Sequence, residues 1–175
     1  VSRLLLTPVT DEARDDDEGG ERVLVLVDGS PETLRALRRA IRLSADRLAL
    51  LTILAYAPGP AQPEDAETRR AGLLLAEAQA EAEVEGVAAE RYLLHGPNPL
   101  DQLYALVAPA PSRDLLVLCG PGAVEGPLRP LTRTLVRRPP CDLYVLPPES
   151  GRLRRWRWRA LGWLALRGAA RGTHR

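Results

Sequence analysis

Val23-Leu24-Val25-Leu26-Val27-Asp28-Gly29-Ser30-Pro31-Glu32 decides how the rest of the chain is read. Five consecutive apolar residues suit a strand covered on both faces, because a half-exposed strand would alternate apolar with polar. Asp28-Gly29-Ser30 then reads as a turn. Ser30 is a good helix N-cap, and Pro31 fits the first helical position, where its missing N–H is no loss. Buried strand, tight turn and helix together are the opening of a strand–helix–strand unit.

The same alternation continues downstream. In the first helix Leu34, Leu37, Ile41, Ser44 and Ala45 form one face, and Arg35, Arg38, Arg39 and Arg42 the other. Residues 48–56 read as a second strand, followed by a Pro-rich loop at 58–63. A second helix spans about 65–85, with Ala71, Leu74, Leu75, Ala78 and Ala82 inward, Glu77 and Glu81 outward, and Gly86 as its stop. Residues 87–95 form a third strand. Gly96-Pro97-Asn98-Pro99 opens a third helix with Leu100, Leu103, Tyr104 and Val107 on one face. A fourth strand at 115–119, a short helix at 127–138 and a fifth strand at 143–146 complete the series, and Pro147-Pro148 ends it. Strands alternating with helices predict an α/β fold with a five-stranded parallel sheet, helices on both faces and right-handed crossovers. Ligands in such sheets bind beyond the carboxyl ends of the strands. The loops to inspect are therefore 28–30, 56–58, 96–98 and 120–126.

Length and charge set the organisation. The 175 residues accommodate one α/β domain at 22–149, between an acidic disordered arm at 1–21 and a basic tail at 150–175. The arm carries seven acids and two Arg; the tail carries eight Arg and no acid; the domain between them is nearly neutral. All basic residues are Arg, and Lys, Met and Phe are absent, which points to a codon bias toward G and C. No apolar run approaches the roughly 18 residues a membrane span needs. With two cysteines and no ligand spacing, a reducing, cytoplasmic location is expected. Neither a metal constellation nor a nucleophile with a paired acid and base stands out, so the expectation is a binding module rather than an enzyme.

Three stretches carry a family resemblance. Residues 23–30 look like the opening strand and turn of universal stress proteins. Asp114-Leu115-Leu116-Val117-Leu118-Cys119-Gly120 resembles their fourth strand, which ends in glycine. Arg138-Pro139-Pro140-Cys141-Asp142-Leu143-Tyr144-Val145-Leu146 is similar to their closing strand, and Gly96-Pro97 sits where the family often places Gly and Pro. The resemblance covers about residues 22–147. It implies the strand order 3-2-1-4-5, a homodimer formed through the last strand and, in one branch of the family, ATP or another adenine nucleotide as ligand. In that branch an Asp after the first strand meets the base, and Gly-x-x-Gly, nine residues, then Gly-Ser/Thr wraps the ribose and phosphates. Asp28 matches the Asp and Gly120 the first Gly. Three positions after Gly120 stands Ala123, with Gly122 adjacent, and counting back from Cys141 puts the final pair on Arg129-Pro130.

A phosphate loop needs backbone N–H groups facing the anion, and glycines that allow close approach. Pro127 and Pro130 lack an N–H. Glu125 opposes phosphate, while Arg129 would favour it. The candidate ligand-binding residues are therefore Asp28, Gly29, Gly120, Gly122 and Arg129, in a cleft poorly furnished for triphosphate.

Single residues allow competing readings. Asp28 either contacts a base or ribose or caps its own turn. Ser30 reads as an N-cap, not a nucleophile. Cys119 and Cys141 fall at opposite ends of neighbouring strands, roughly 15 Å apart, which excludes a disulfide and leaves two small buried hydrophobes. His95, at the end of the third strand, reads as structural. In the tail, Leu153, Trp156, Ala160, Trp163 and Leu164 could share a helical face among Arg residues. That suits an anionic membrane surface, whereas no specific nucleic acid is expected. The leading reading is a stress-response or regulatory module with weak or absent nucleotide binding. The alternatives are a peripheral membrane or transporter-associated adaptor acting through the tail, and a true ATP binder with a rearranged loop.

Overall fold

The computed structural model describes residues 20–59, 65–120 and 122–147. The chain runs β1 (Arg22–Val27), α1 (Pro31–Arg47), β2 (Leu50–Ala57), α2 (Ala66–Val84), β3 (Ala89–His95), α3 (Pro99–Val107), β4 (Asp114–Cys119), α4 (Leu128–Arg137) and β5 (Asp142–Leu146). All five strands lie in one sheet in the order β3-β2-β1-β4-β5, and every neighbouring pair is parallel. The fold class and strand order are those expected. The expected acidic arm, as far as residue 19, and the expected basic tail at 150–175 lie outside the described residues.

β1 is central because its apolar run has no face that tolerates water: Val23 to Val27 are each at most 2% exposed. Right-handed crossovers then place α1 and α2 on one face of the sheet, and α3 and α4 on the other. Thr33, Ala36, Leu37, Ala40, Ile41 and Ser44 form the buried face of α1. Ala45, expected on that face, is exposed. On α2 the buried residues are Ala71, Leu75, Ala78 and Ala82, with Leu74 half-buried.

Two boundaries differ from the sequence reading. Leu48 does not start the second strand. It caps α1 in the left-handed conformation, with φ of 53°, and its side chain is 96% exposed. An apolar residue directly before a strand mimics strand pattern, but the chain must first turn out of the helix. Residues 87–88 likewise precede β3, because the N–H of Val87 still bonds to the carbonyl of Ala82 at the end of α2.

The amino-terminal end of the sheet is held by Arg22 and Asp114. The Nε and Nη2 of Arg22 donate to the two carboxylate oxygens of Asp114 at 2.8 and 2.6 Å, and Nη2 also reaches the carbonyl of Leu106. Those hydrogen bonds raise the Arg22 guanidinium above its ordinary pKa, against the opposing effect of burial. This bidentate pair locks β1 to β4 at the closed end and leaves the other end, with its loops, as the open one.

Candidate functional site

A cleft of about 660 Å³ opens at the carboxyl ends of β1 and β2. Its apolar wall comes from Val27, Ala55, Tyr56, Ala71 and Leu74, and its rim from Asp28, Glu32, Glu67, Arg70, Glu125 and Pro127. A cleft of this size is typical of small-molecule sites. A second hollow of about 530 Å³ adjoins it, also bordered by Asp28, with Gly29, Arg69, Arg70, Leu73 and Glu77.

The β1–α1 turn is wired from within. Asp28 Oδ1 accepts the N–H of Ser30 at 2.9 Å and the hydroxyl of Thr33 at 2.7 Å. The N–H of Asp28 donates to Thr33 Oγ1, and Ser30 Oγ caps the helix by accepting the N–H of Thr33. Gly29 sits between them with φ of 82°, which an L side chain resists. Asp28 thus caps its own turn and also borders the cleft. One oxygen holds the turn, and the carboxylate still borders the cleft, where Oδ2 has no hydrogen-bond partner among the described residues.

The β4–α4 loop is built differently. Gly120 is buried, donates its N–H to the carbonyl of Leu146 and packs on β5; it does not line the cleft. Gly122 is exposed, and a Cβ there would meet nothing within 4 Å. Arg129 lies in the first turn of α4, exposed, and is not among the cleft residues. The glycine that precedes the helix is Gly126, with φ of 65°, and it does line the cleft, as do Ala123, Glu125 and Pro127. Of the five candidates, Asp28 and Gly29 come together at the opening, while Gly120, Gly122 and Arg129 stand away from it.

Chemically the cleft has two unlike ends. The apolar end can stack a flat ring against Tyr56, whose hydroxyl is held by the carbonyl of Gly96 at 3.0 Å. At the polar end four carboxylates, Asp28, Glu32, Glu67 and Glu125, face one guanidinium, Arg70. The two helix starts offer little to an anion. Pro31 has no N–H, and those of Ser30, Thr33 and Leu34 are taken by Asp28, Ser30 Oγ and Ser30 O. At α4, Pro127 and Pro130 have none, and that of Arg129 goes to Gly126 O. The partial positive charge of a helix start acts through such N–H groups, and in the first three residues of each of these two helices only those of Glu32 and Leu128 have no partner among the described residues, so few donors remain for an anion.

Three other residues lie outside the cleft lining. His95 ends β3 outside the cleft; its backbone N–H and C=O are both held by Gln102, and burial lowers its pKa. Cys119 and Cys141 are unpaired, as their placement at opposite ends of β4 and β5 requires. Burial raises both thiols, Cys141 to about 11. Cys119 Sγ donates to the carbonyl of Glu32, tying the end of β4 to the first turn of α1. Cys141 is only half-buried, at the start of the edge strand, so the expectation of two buried thiols holds for Cys119 alone.

Sequence reasoning missed Glu67, Arg70, Leu74 and Gly126. The rule that ligands meet the carboxyl ends of strands was applied to loops, but the first turns of α2 overhang the same opening. Gly126 closes the 120–126 loop, but its sequence neighbours do not mark it as the glycine with left-handed backbone before the helix.

The universal stress protein family model matches residues 20–147, almost the whole of the described sheet and its helices. This chain belongs to the universal stress protein family. Solved members share its fold. A universal stress protein in complex with cAMP is 26% identical, with a TM-score of 0.55, covering 74% of this chain and 98% of that one. UspA from Lactobacillus plantarum is 21% identical, with a TM-score of 0.59, covering 74% and 99%. The protein from Archaeoglobus fulgidus in complex with dAMP is 20% identical, with a TM-score of 0.58, covering 73% and 98%. No curated protein sequence matches the chain. As a universal stress protein it is a stress-response module built on a parallel α/β sheet.

Proposed function

We propose that this universal stress protein is a non-catalytic regulatory module whose cleft receives the base and sugar of an adenine nucleotide and grips its phosphates weakly. One observation carries the reading: the cleft is apolar and roomy beside Tyr56, yet acidic where phosphates would lie. The cAMP and dAMP complexes among its structural relatives support adenine as the ring. ATP fits the residues poorly, because three or four added negative charges would meet four carboxylates and two proline-blocked helix starts. Asp28 would orient the ligand through Oδ2, with Arg70 as the partner for a single phosphate.

Calorimetric titration with adenosine, AMP and ATP tests this. The expected result is that adenosine and AMP raise the melting temperature and ATP raises it no further. Tighter binding of ATP than of AMP would overturn it, and steady release of phosphate from ATP would overturn the non-catalytic reading.

The same reading makes the protein a homodimer through β5. That strand pairs only with β4, and Tyr144 on it is 37% exposed, resting over the Arg39 guanidinium at 5.1 Å. An open edge strand with apolar side chains favours a partner strand. Light scattering should give a mass near twice that of the chain. A cytoplasmic setting is proposed with it, supported by two unpaired thiols. No helix among the described residues is long and apolar enough to cross a membrane.

A further inference from the structure

α2 has two apolar faces, and the sheet uses only one. Ala71, Leu75, Ala78 and Ala82 are buried against β2 and β3. On the opposite side Leu73, Ala76, Ala80 and Val84 are exposed, with Leu73 at 67% and Val84 at 86%. Their spacing of three, four and four residues sets them in one stripe along the helix. Glu77 borders the stripe on one flank and Glu83 on the other, and neither has an ion-pair partner among the described residues. Glu81 lies further round, with Arg38 as its partner. After Arg70 the helix carries no cation. Its last turn lacks a basic residue, so the negative end of the helix dipole is also uncompensated there.

One segment of the chain has the complementary chemistry. Residues 150–175 hold eight Arg, no acid and all three Trp, and Leu153, Trp156, Ala160, Trp163 and Leu164 recur at helical spacing. Reach permits the contact. The segment leaves the domain after Pro147, at the open end of β5. From β5 to β2 is three strand spacings, about 14 Å, and the helix layer adds about 10 Å. The nine residues from Pro147 to Trp156 span up to roughly 30 Å. Between β5 and α2 lies α1, on which Arg35, Arg38, Arg39 and Arg42 outnumber the two acids, Glu32 and Asp46, so it favours a cationic segment less than α2 does. The acidic, apolar flank of α2 is the next surface beyond it.

We propose that the Arg/Trp segment at 150–175 docks on the exposed stripe of α2 in the same chain. Its apolar side chains cover Leu73, Ala76, Ala80 and Val84, and its Arg side chains meet Glu77, Glu83 and the carboxyl end of the helix. Leu73 and Glu77 also border the hollow next to Asp28 and Gly29.

Tryptophan fluorescence of the full chain tests the docking without reference to any ligand. All three Trp lie in this segment and none in the domain, so the emission reports the segment alone. In the folded protein the emission should be blue-shifted and severalfold less quenched by acrylamide than in urea, independent of protein concentration. The double variant Leu73→Ser/Val84→Ser, and separately the charge reversal Glu77→Lys/Glu83→Lys, should both raise quenching toward the unfolded value. Circular dichroism confirms that each stays folded, since all four positions are at the surface. Fully exposed Trp in the native protein, emission unchanged in both variants, shielding that appears only as concentration rises, or a blue shift that requires anionic vesicles would each overturn it. The last two outcomes would assign the segment to a second copy or to a membrane surface.

Discussion

The turn after β1 and the loop after β4 border one cleft from two sides, and they are stabilised in opposite ways. The first is a closed circuit. Asp28, Ser30 and Thr33 satisfy one another's donors and acceptors within six residues, so its shape is specified locally. The second has a proline at its helix start, no side-chain cap and an exposed glycine, and its shape depends on where β4 and α4 happen to place its ends. On the function proposed above, a universal stress protein that keeps the first and loosens the second would retain a place for a base while losing its hold on phosphate. What the contrast teaches is that a binding cleft can be kept in part, because its two sides draw their stability from separate sources.

The sharpest way to break that comparison is to remove the circuit's hub. Asp28→Ala strands the Ser30 N–H and leaves the Thr33 hydroxyl with the longer bond to the Ser30 carbonyl, and it should cost about 1–2 kcal/mol of folding stability in a urea melt. On the other side Glu125→Gln should stay within about 0.5 kcal/mol, since Glu125 is exposed with no ion pair among the described residues. Similar costs for the two would mean that the loops are equally integral to the fold, and the contrast would fail.

A repair experiment sharpens it next. Glu125→Gln combined with Pro127→Ser removes one cleft carboxylate and returns an N–H and a capping hydroxyl to the start of α4. AMP affinity should rise about tenfold, near 1.4 kcal/mol, while adenosine affinity stays as it was. Equal change for both ligands would show that the loop shapes the base pocket and not the phosphate end. Arg70→Ala in the native background should act in reverse, weakening AMP and sparing adenosine.

How far the sequence reveals this molecule follows the same division. The five strands, their parallel arrangement and the cap at Ser30 were legible, because each depends on a short run of residues whose partners are nearby or whose burial is total. Asp28 was legible as a turn former and a cleft residue for that reason. The positions of Gly120, Gly122 and Arg129 relative to the cleft were not legible, because the path of the eight-residue connection from β4 to α4 is set by tertiary contacts. The decisive one joins the Gly120 N–H to the carbonyl of Leu146, across the strand pair β4–β5. Arg70 was hidden for a related reason. Its part in the cleft comes from the height of α2 above β1, which periodicity within the helix does not encode.

The smallest effects discriminate among glycines that look alike in the sequence. Gly29→Ala places a Cβ in a left-handed residue, 3.6 Å from Leu74 Cδ1, inside the closed circuit, and should cost about 1–2 kcal/mol. Gly126→Ala shares the left-handed backbone, but its Cβ would meet nothing within 4 Å, and a loosely held loop can relax its φ, so about 1 kcal/mol or less is expected. Gly122→Ala has neither constraint; its backbone is not left-handed and its surroundings are open, so its melt should overlay the native one. A descending series Gly29, Gly126, Gly122 follows only if the first turn is rigid and the second loop yields. If Gly126→Ala proved as costly as Gly29→Ala, the loop after β4 would be as tightly specified as the turn after β1, and its poor fit to phosphate would have to come from charge alone.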